Sequence, residues 1–171
     1  MTKRIDRQEF QEGLSQRLSE AAHSDAAPAW LGVLSAGDYW LFDLADAGEI
    51  VPLQQLTEVP LTKSWFAGIA NIRGTLYSVV DFSAFQGSEP TPKNSTSRLL
   101  LVGARHGINS ALLVSQTLGL KNPDSLEPNV DAESDPRPWA GECYRDGKGQ
   151  QWRKMLIKPL LADPGFLDVG L

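Results

Sequence analysis

The chain has a single cysteine, two histidines and no long apolar run, and each scarcity removes a class of function. Cys143 alone cannot close an intramolecular disulfide, so a stapled secreted scaffold is excluded. It falls in a predicted strand, where a free cysteine reads as a small buried hydrophobe. His23 and His106 sit in no recognisable nucleophile arrangement, and with one cysteine they make no histidine–cysteine metal set. Basic residues are the minority, 16 Lys and Arg against 21 Asp and Glu, for a net charge of −5. Nucleic acid is disfavoured, because binding it needs clustered cations that neutralise phosphates, and so is an anionic membrane surface. No stretch nears the roughly 20 apolar residues of a membrane span. The charged start, Met1 to Glu9, is followed by no apolar region, so no signal peptide is expected and the cytoplasm is the expected compartment. There is no phosphate-cradling glycine loop and no dinucleotide fingerprint. No enzyme, cofactor or metal is expected.

What is present is 171 residues at 42% hydrophobic and 22% charged, which suits one compact domain or two small subdomains sharing a core. Residues 5–22 read as an amphipathic helix, with Phe10, Leu14 and Leu18 four apart among charges. That stripe needs a surface, either on its own domain or on another protein. Ala26-Ala27-Pro28 ends this region, so residues 1–27 are read as helix and linker and residues 28–171 as the domain. Within it, 29–35 and 39–44 predict a strand hairpin turning at Ala36-Gly37-Asp38. Residues 54–64 form a connector. A strand then runs to Ile72, turns at Arg73-Gly74 and returns from Leu76 to Val80. Asp81 and Ser83 can cap a short helix over 83–86. Residues 87–97 read as a flexible surface loop. Further hairpins follow over 98–114 and 139–157. Between them 121–138 is a proline-broken acidic loop that reads as solvated and not as a calcium loop. A terminal helix follows at Leu160-Leu161-Ala162. Trp30 and Trp40 are expected in the core, and Trp65 is the best tryptophan candidate for an interface.

The stretch Trp65-Phe66-Ala67-Gly68-Ile69-Ala70-Asn71-Ile72-Arg73-Gly74, continuing through Val79-Val80-Asp81, resembles the signature of the CheW-like coupling domains of bacterial chemosensory systems. The match lies at Gly68, Ile69, Asn71, Ile72, Arg73, Gly74, Val79, Val80 and Asp81. The chain departs at Ser78, where the family usually has proline, at Phe82, and at Ser115, which stands where an aspartate is usual. The resemblance covers about residues 28–164. It implies an all-β fold with short helices, built as two SH3-like five-stranded barrels that share a core, with the N-terminal helix outside.

It also implies a non-catalytic adaptor that joins the cytoplasmic tip of a methyl-accepting chemoreceptor to the regulatory domain of a CheA-type histidine kinase. The N-terminal helix, the Trp-x-x-Gly-Ile-Ala-Asn-Ile-Arg-Gly wording and Trp152 before the last strand are similar to the branch that serves type IV pilus (twitching) systems. A flagellar chemotaxis coupler is the alternative, and a small-ligand-binding β-barrel is the rival from another class. Carried over by resemblance as partner-binding positions are Glu49, Ile50, Trp65, Gly68, Asn71, Arg73, Gly74 and Asp81. Each has a plainer reading beside it. Glu49 can be a solvated loop carboxylate, Gly74 a backbone requirement and Asp81 a cap. Arg73 either pairs with a carboxylate inside the fold, Glu49 among them, or presents its fork to a partner.

Overall fold

Short runs of β-branched and aromatic residues, broken by Gly, Asp and Asn, favour strands that pair with near neighbours in the chain. The computed structural model describes residues 29–102 and 107–171 and shows this. Strands β1 (Trp30–Ser35) and β2 (Asp38–Asp43) form the first hairpin, turning at Ala36-Gly37. A one-turn helix α1 (Leu44–Ala47), capped by the Asp43 side chain, leads to β3 (Glu49–Pro52) and the two-residue β4 (Leu56–Thr57). The hairpin of β5 (Phe66–Ile72) and β6 (Thr75–Asp81) runs into α2 (Phe82–Phe85). Then come β7 (Arg98–Val102), β8 (Ser110–Val114) and β9 (Gln116–Lys121). After them come β10 (Glu127–Pro128), β11 (Ala140–Arg145) and β12 (Gln151–Met155). Helices α3 (Ile157–Ala162) and α4 (Pro164–Leu167) end the described chain. The predicted N-terminal helix, His23 and His106 lie outside the described residues.

The strands form two mixed sheets, ordered β10-β11-β12-β2-β1-β9 and β3-β7-β8-β6-β5-β4. Each has one parallel pairing, β12 with β2 and β6 with β8. Each holds five strands of four or more residues and a two-residue strand at one edge, β10 or β4. The expected five-stranded units are these, and the two added strands are too short to read from a two-residue pattern. Period-two alternation partitions the core. In β7, Leu100 and Val102 enter a cluster shared with Leu31, Val33, Trp40 and Phe42 of the other sheet, while Leu99 and Leu101 enter a second cluster with Ala70, Ile72 and Val79. The first sheet has its own small cluster around Leu41, Leu126 and Trp152. Strands β7 and β8 are therefore buried on both faces, and for this reason read as continuous apolar runs.

Helices α3 and α4 close the shared core with Leu160, Leu161 and Phe166. α4, missing from the sequence reading, starts where Asp163 caps the Gly165 N–H ahead of Pro164 at the first helical position. Among the described residues no helix is long and apolar enough to cross a membrane.

Candidate functional site

The signature stretch is the β5–β6 hairpin. Ile72 pairs with Thr75, leaving a two-residue loop of Arg73 and Gly74. Their φ angles are +52° and +86°. Positive values at both central positions are what a type I′ turn needs, and that turn matches the twist of the flanking strands. Gly74 adopts this backbone without cost, while Arg73 accepts a left-handed conformation. Asn71 supplies a local bond, its Oδ1 accepting the Gly74 N–H at 2.9 Å. The turn thus projects Arg73 away from the sheet, with 68% of its side chain exposed.

Arg73 does not project alone. Its guanidinium donates to the Glu49 carboxylate at the head of β3. That hydrogen bond, followed by the charge of Glu49, holds the Arg73 pKa above its ordinary value. Two positions 24 residues apart therefore form one exposed ion pair, joining the edge strand β3 to the tip of the signature hairpin. An exposed pair adds little stability, but it fixes the direction of the arginine fork. Leu76 lies on the same hairpin with 60% of its surface exposed. It is an apolar neighbour that the sequence reading assigned only to a strand.

The other carried-over positions face inward or support the backbone. Gly68 is buried at a bulge with φ +132°, and a Cβ there would lie 2.5 Å from the Thr57 carbonyl oxygen. Ile50 packs against the shared core from β3. Trp65 packs there too, stacked on Phe166 at 6.5 Å and edge-on to Phe85 at 5.2 Å.

Asp81 is 5% exposed and accepts four bonds. Its Oδ1 takes the Ser83 and Ala84 N–H groups at 3.1 and 3.3 Å and the Thr91 hydroxyl at 2.6 Å; its Oδ2 takes the Thr91 N–H at 2.8 Å. It caps α2, one residue earlier than the predicted helix, and also anchors the 87–97 loop. That loop was expected to be a flexible surface element. Thr91 and Ser97 are buried in it, so it is pinned in two places.

Sequence reasoning also missed a cation–aromatic clamp. Asp135 sits in the acidic loop expected to be solvated, yet Arg137 binds it through Nε at 2.9 Å and Nη2 at 2.6 Å, with Arg153 at 3.9 Å. The Arg137 hydrogen bond drives the Asp135 carboxyl down to about 2. Arg137 lies over Trp139 at 4.5 Å and Trp40 at 5.5 Å, fastening the loop to the core. The signal was Asp-Pro-Arg-Pro-Trp itself, an acid, an arginine and a ring held close by two prolines.

Among the described residues no group of His, Cys, Asp and Glu could hold a metal ion. A surface cleft of about 560 Å³ is lined by Asp38, Asp135, Arg137 and Arg153, so its walls are charged and its arginines already engaged.

Comparison with known proteins bears on the family and the fold. Protein PilI of Pseudomonas aeruginosa is 26% identical over 159 residues, which span 88% of this chain and 85% of that protein. The crystal structure of the scaffolding protein TtCheW from Thermoanaerobacter tengcongensis superposes with a TM-score of 0.66 at 20% identity, covering 81% of this chain and 95% of that one. The CheW-like domain profile matches residues 29–163, the span that holds both sheets and the Arg73–Glu49 pair, and the chain belongs to the CheW-like domain family.

Proposed function

We propose that this chain is a non-catalytic adaptor that couples a methyl-accepting chemoreceptor to a CheA-type histidine kinase. By its likeness to PilI, the system it serves controls type IV pilus twitching motility. The chain works in the cytoplasm and is recruited to receptor arrays at the membrane. The observation that carries this reading is the exposed Arg73–Glu49 pair at the tip of the signature hairpin, inside a CheW-like domain. A charged fork held in a fixed direction beside exposed Leu76 has the make-up of a protein contact, a polar group that orients and an apolar one that anchors. Coupling is mechanical: the domain packs against kinase and receptor at once, and a shift in one contact biases the other. Of the carried-over positions, Arg73 and Glu49 are the contact groups. Asn71, Gly74, Gly68 and Asp81 hold the hairpin that presents them, and Ile50 and Trp65 back it from the core.

The rival reading as a ligand-binding barrel needs an enclosed apolar cavity. The space between the sheets is instead filled by Trp40, Phe82, Trp139 and Leu160, which supports the adaptor.

The test is binding of the purified chain to the regulatory domain of the CheA-type kinase from the same cell, with Arg73→Ala alongside. The wild type is expected to bind saturably. Arg73→Ala is expected to keep its fold and lose at least tenfold in affinity. A folded wild-type chain that binds neither kinase nor receptor overturns the reading.

A further inference from the structure

The loop between β10 and β11 stands away from the strand it leads into. β10 sets Glu127 opposite Arg145 and Pro128 opposite Tyr144, and the Asn129 N–H then donates to the Cys143 carbonyl at 2.9 Å. Beyond this bond the chain turns, the Ala132 N–H donating to the Asn129 carbonyl. It returns to the strand where the Arg137 carbonyl accepts the Ala140 N–H at 3.0 Å. Between the two fastenings lies an open groove of about 480 Å³, with Ala140 to Cys143 on one wall and the loop over 128–135 on the other. Side chains alternate between the faces of a strand, so a space lined by four consecutive strand residues runs along the strand's edge and not over a face. Among the described residues no strand pairs with that edge over 140–142. An unpaired edge is a template for an extended segment of another chain.

The lining selects the kind of segment. Val130 is 88% exposed, the most exposed large apolar side chain among the described residues, and Ala132 and Ala140 line the groove with it. Glu133 and Glu142 are exposed on its two walls, and Asp131 is exposed beside Val130. The cation of the lining, Arg153, is already committed. Its Nη1 donates to the Gly141 carbonyl at 3.0 Å and its Nη2 to the Glu133 carbonyl at 3.4 Å. It bridges the walls, so carbonyls of strand and loop converge on a guanidinium placed between them. Asp135 is taken by Arg137, which lies over Trp139 and holds the returning arm of the loop. The groove is therefore built before anything enters it, which lowers the cost of binding.

We propose that this groove takes a basic extended segment of a partner protein. The segment lies along the edge of β11, with Lys or Arg side chains toward Glu133 and Glu142 and small apolar ones against Val130 and Ala132. The rim's negative charge selects a cationic occupant and, being of one sign, repels a second copy of itself. The groove belongs to the first sheet and the Arg73–Glu49 pair to the second, so its occupant is independent of the adaptor reading.

The test is titration of the isotope-labelled full chain with synthetic hexapeptides, followed by amide chemical shifts. A peptide alternating valine with lysine should give saturable shifts at residues 128–135 and 140–143, and should bind less tightly as salt rises. The same peptide with glutamate for lysine should not bind, and one with serine for valine should bind roughly fivefold more weakly. Reversing the rim with Glu133→Lys and Glu142→Lys, both exposed, should lower affinity roughly tenfold. Arg73→Ala should bind the valine–lysine peptide as the wild type does. Absence of saturable binding overturns the proposal. So do equal affinities for the valine–lysine and serine–lysine peptides, binding of the glutamate peptide, an unaffected rim-reversed variant, a loss in Arg73→Ala, or shifts that map to another surface.

Discussion

Replacing Asp81 separates a residue that binds a partner from one that holds the binder in place. Its carboxylate is buried and accepts the Ser83 and Ala84 N–H groups and both donors of Thr91. Asp81→Ala removes the cap of α2, a loss of about 1 kcal/mol. It also leaves the Thr91 hydroxyl and N–H buried without an acceptor, at about 1–3 kcal/mol for each unsatisfied group. The sum is roughly 3–7 kcal/mol, a large part of the 5–15 kcal/mol typical of a domain. The thermal midpoint should fall on the order of 10 °C. Asp81→Asn should lose less, about 1–3 kcal/mol. It keeps one acceptor oxygen for the helix cap but turns an amide donor toward the Thr91 N–H. The assay is urea denaturation of both variants, paired with kinase-domain binding measured at a temperature where each is folded. The expected pattern is a lower midpoint and near-normal affinity for the folded fraction. An Asp81→Ala chain as stable as wild type that has lost binding would refute the reasoning and make Asp81 a contact.

Gly74→Val should leave room for the side chain, since nothing lies within 4 Å of a Cβ there, yet cost roughly 1–2 kcal/mol because φ is +86°; an unchanged urea midpoint contradicts this. Gly68→Ala meets both a positive φ and the Thr57 carbonyl, and should cost about 2–4 kcal/mol and loosen β4; calorimetry showing a negligible loss would sink the argument. Asp135 has a folded-state pKa of about 2, below the roughly 3.9 of an unfolded chain. Its contribution is therefore fully present above about pH 4 and is lost as pH falls from 4 to 2. Allowing for solvent screening, that contribution is about 1–2 kcal/mol. Asp135→Asn should lower stability by about 1–2 kcal/mol above pH 5 and flatten the profile between pH 4 and 2, where the two chains converge, and an identical acid slope in the variant would remove the clamp from the account.

Much of the strand pattern was legible because the local signals agree with each other. The turn Ala36-Gly37, the Arg73-Gly74 loop and the alternation on each hairpin specify register without help from distant residues. What was not legible depends on contacts across the chain. β4 is two residues long and exists only because β5 runs beside it. The 87–97 loop has no aliphatic or aromatic side chain, so composition says surface. It is nevertheless held by a carboxylate ten residues earlier, and hydropathy does not register a hydrogen bond of that kind. The acidic loop is solvated as expected at Asp124, Glu127, Asp131 and Glu133; Asp135 departs from that reading, because charge counted along the chain does not show its pairing in space with Arg137 and Arg153.

The candidate site shows a similar division. A motif records which residues recur together but not why, and here its members do different jobs. Gly68 and Gly74 allow backbone shapes that a side chain would oppose, and Asn71 and Asp81 satisfy N–H groups at a turn and a helix start. Only Arg73 combines a place in the motif with an exposed, charged end. Its partner Glu49 lies outside the motif, on a strand separated from the hairpin by β7 and β8 in the sheet order. The sequence reading could weigh that pairing only as one option, because a distance of 24 residues says nothing about proximity until the sheet order is known. Once it is known, the edge strand and the hairpin tip share one exposed ion pair that directs the arginine fork, while the packing beneath is left to the buried members of the motif.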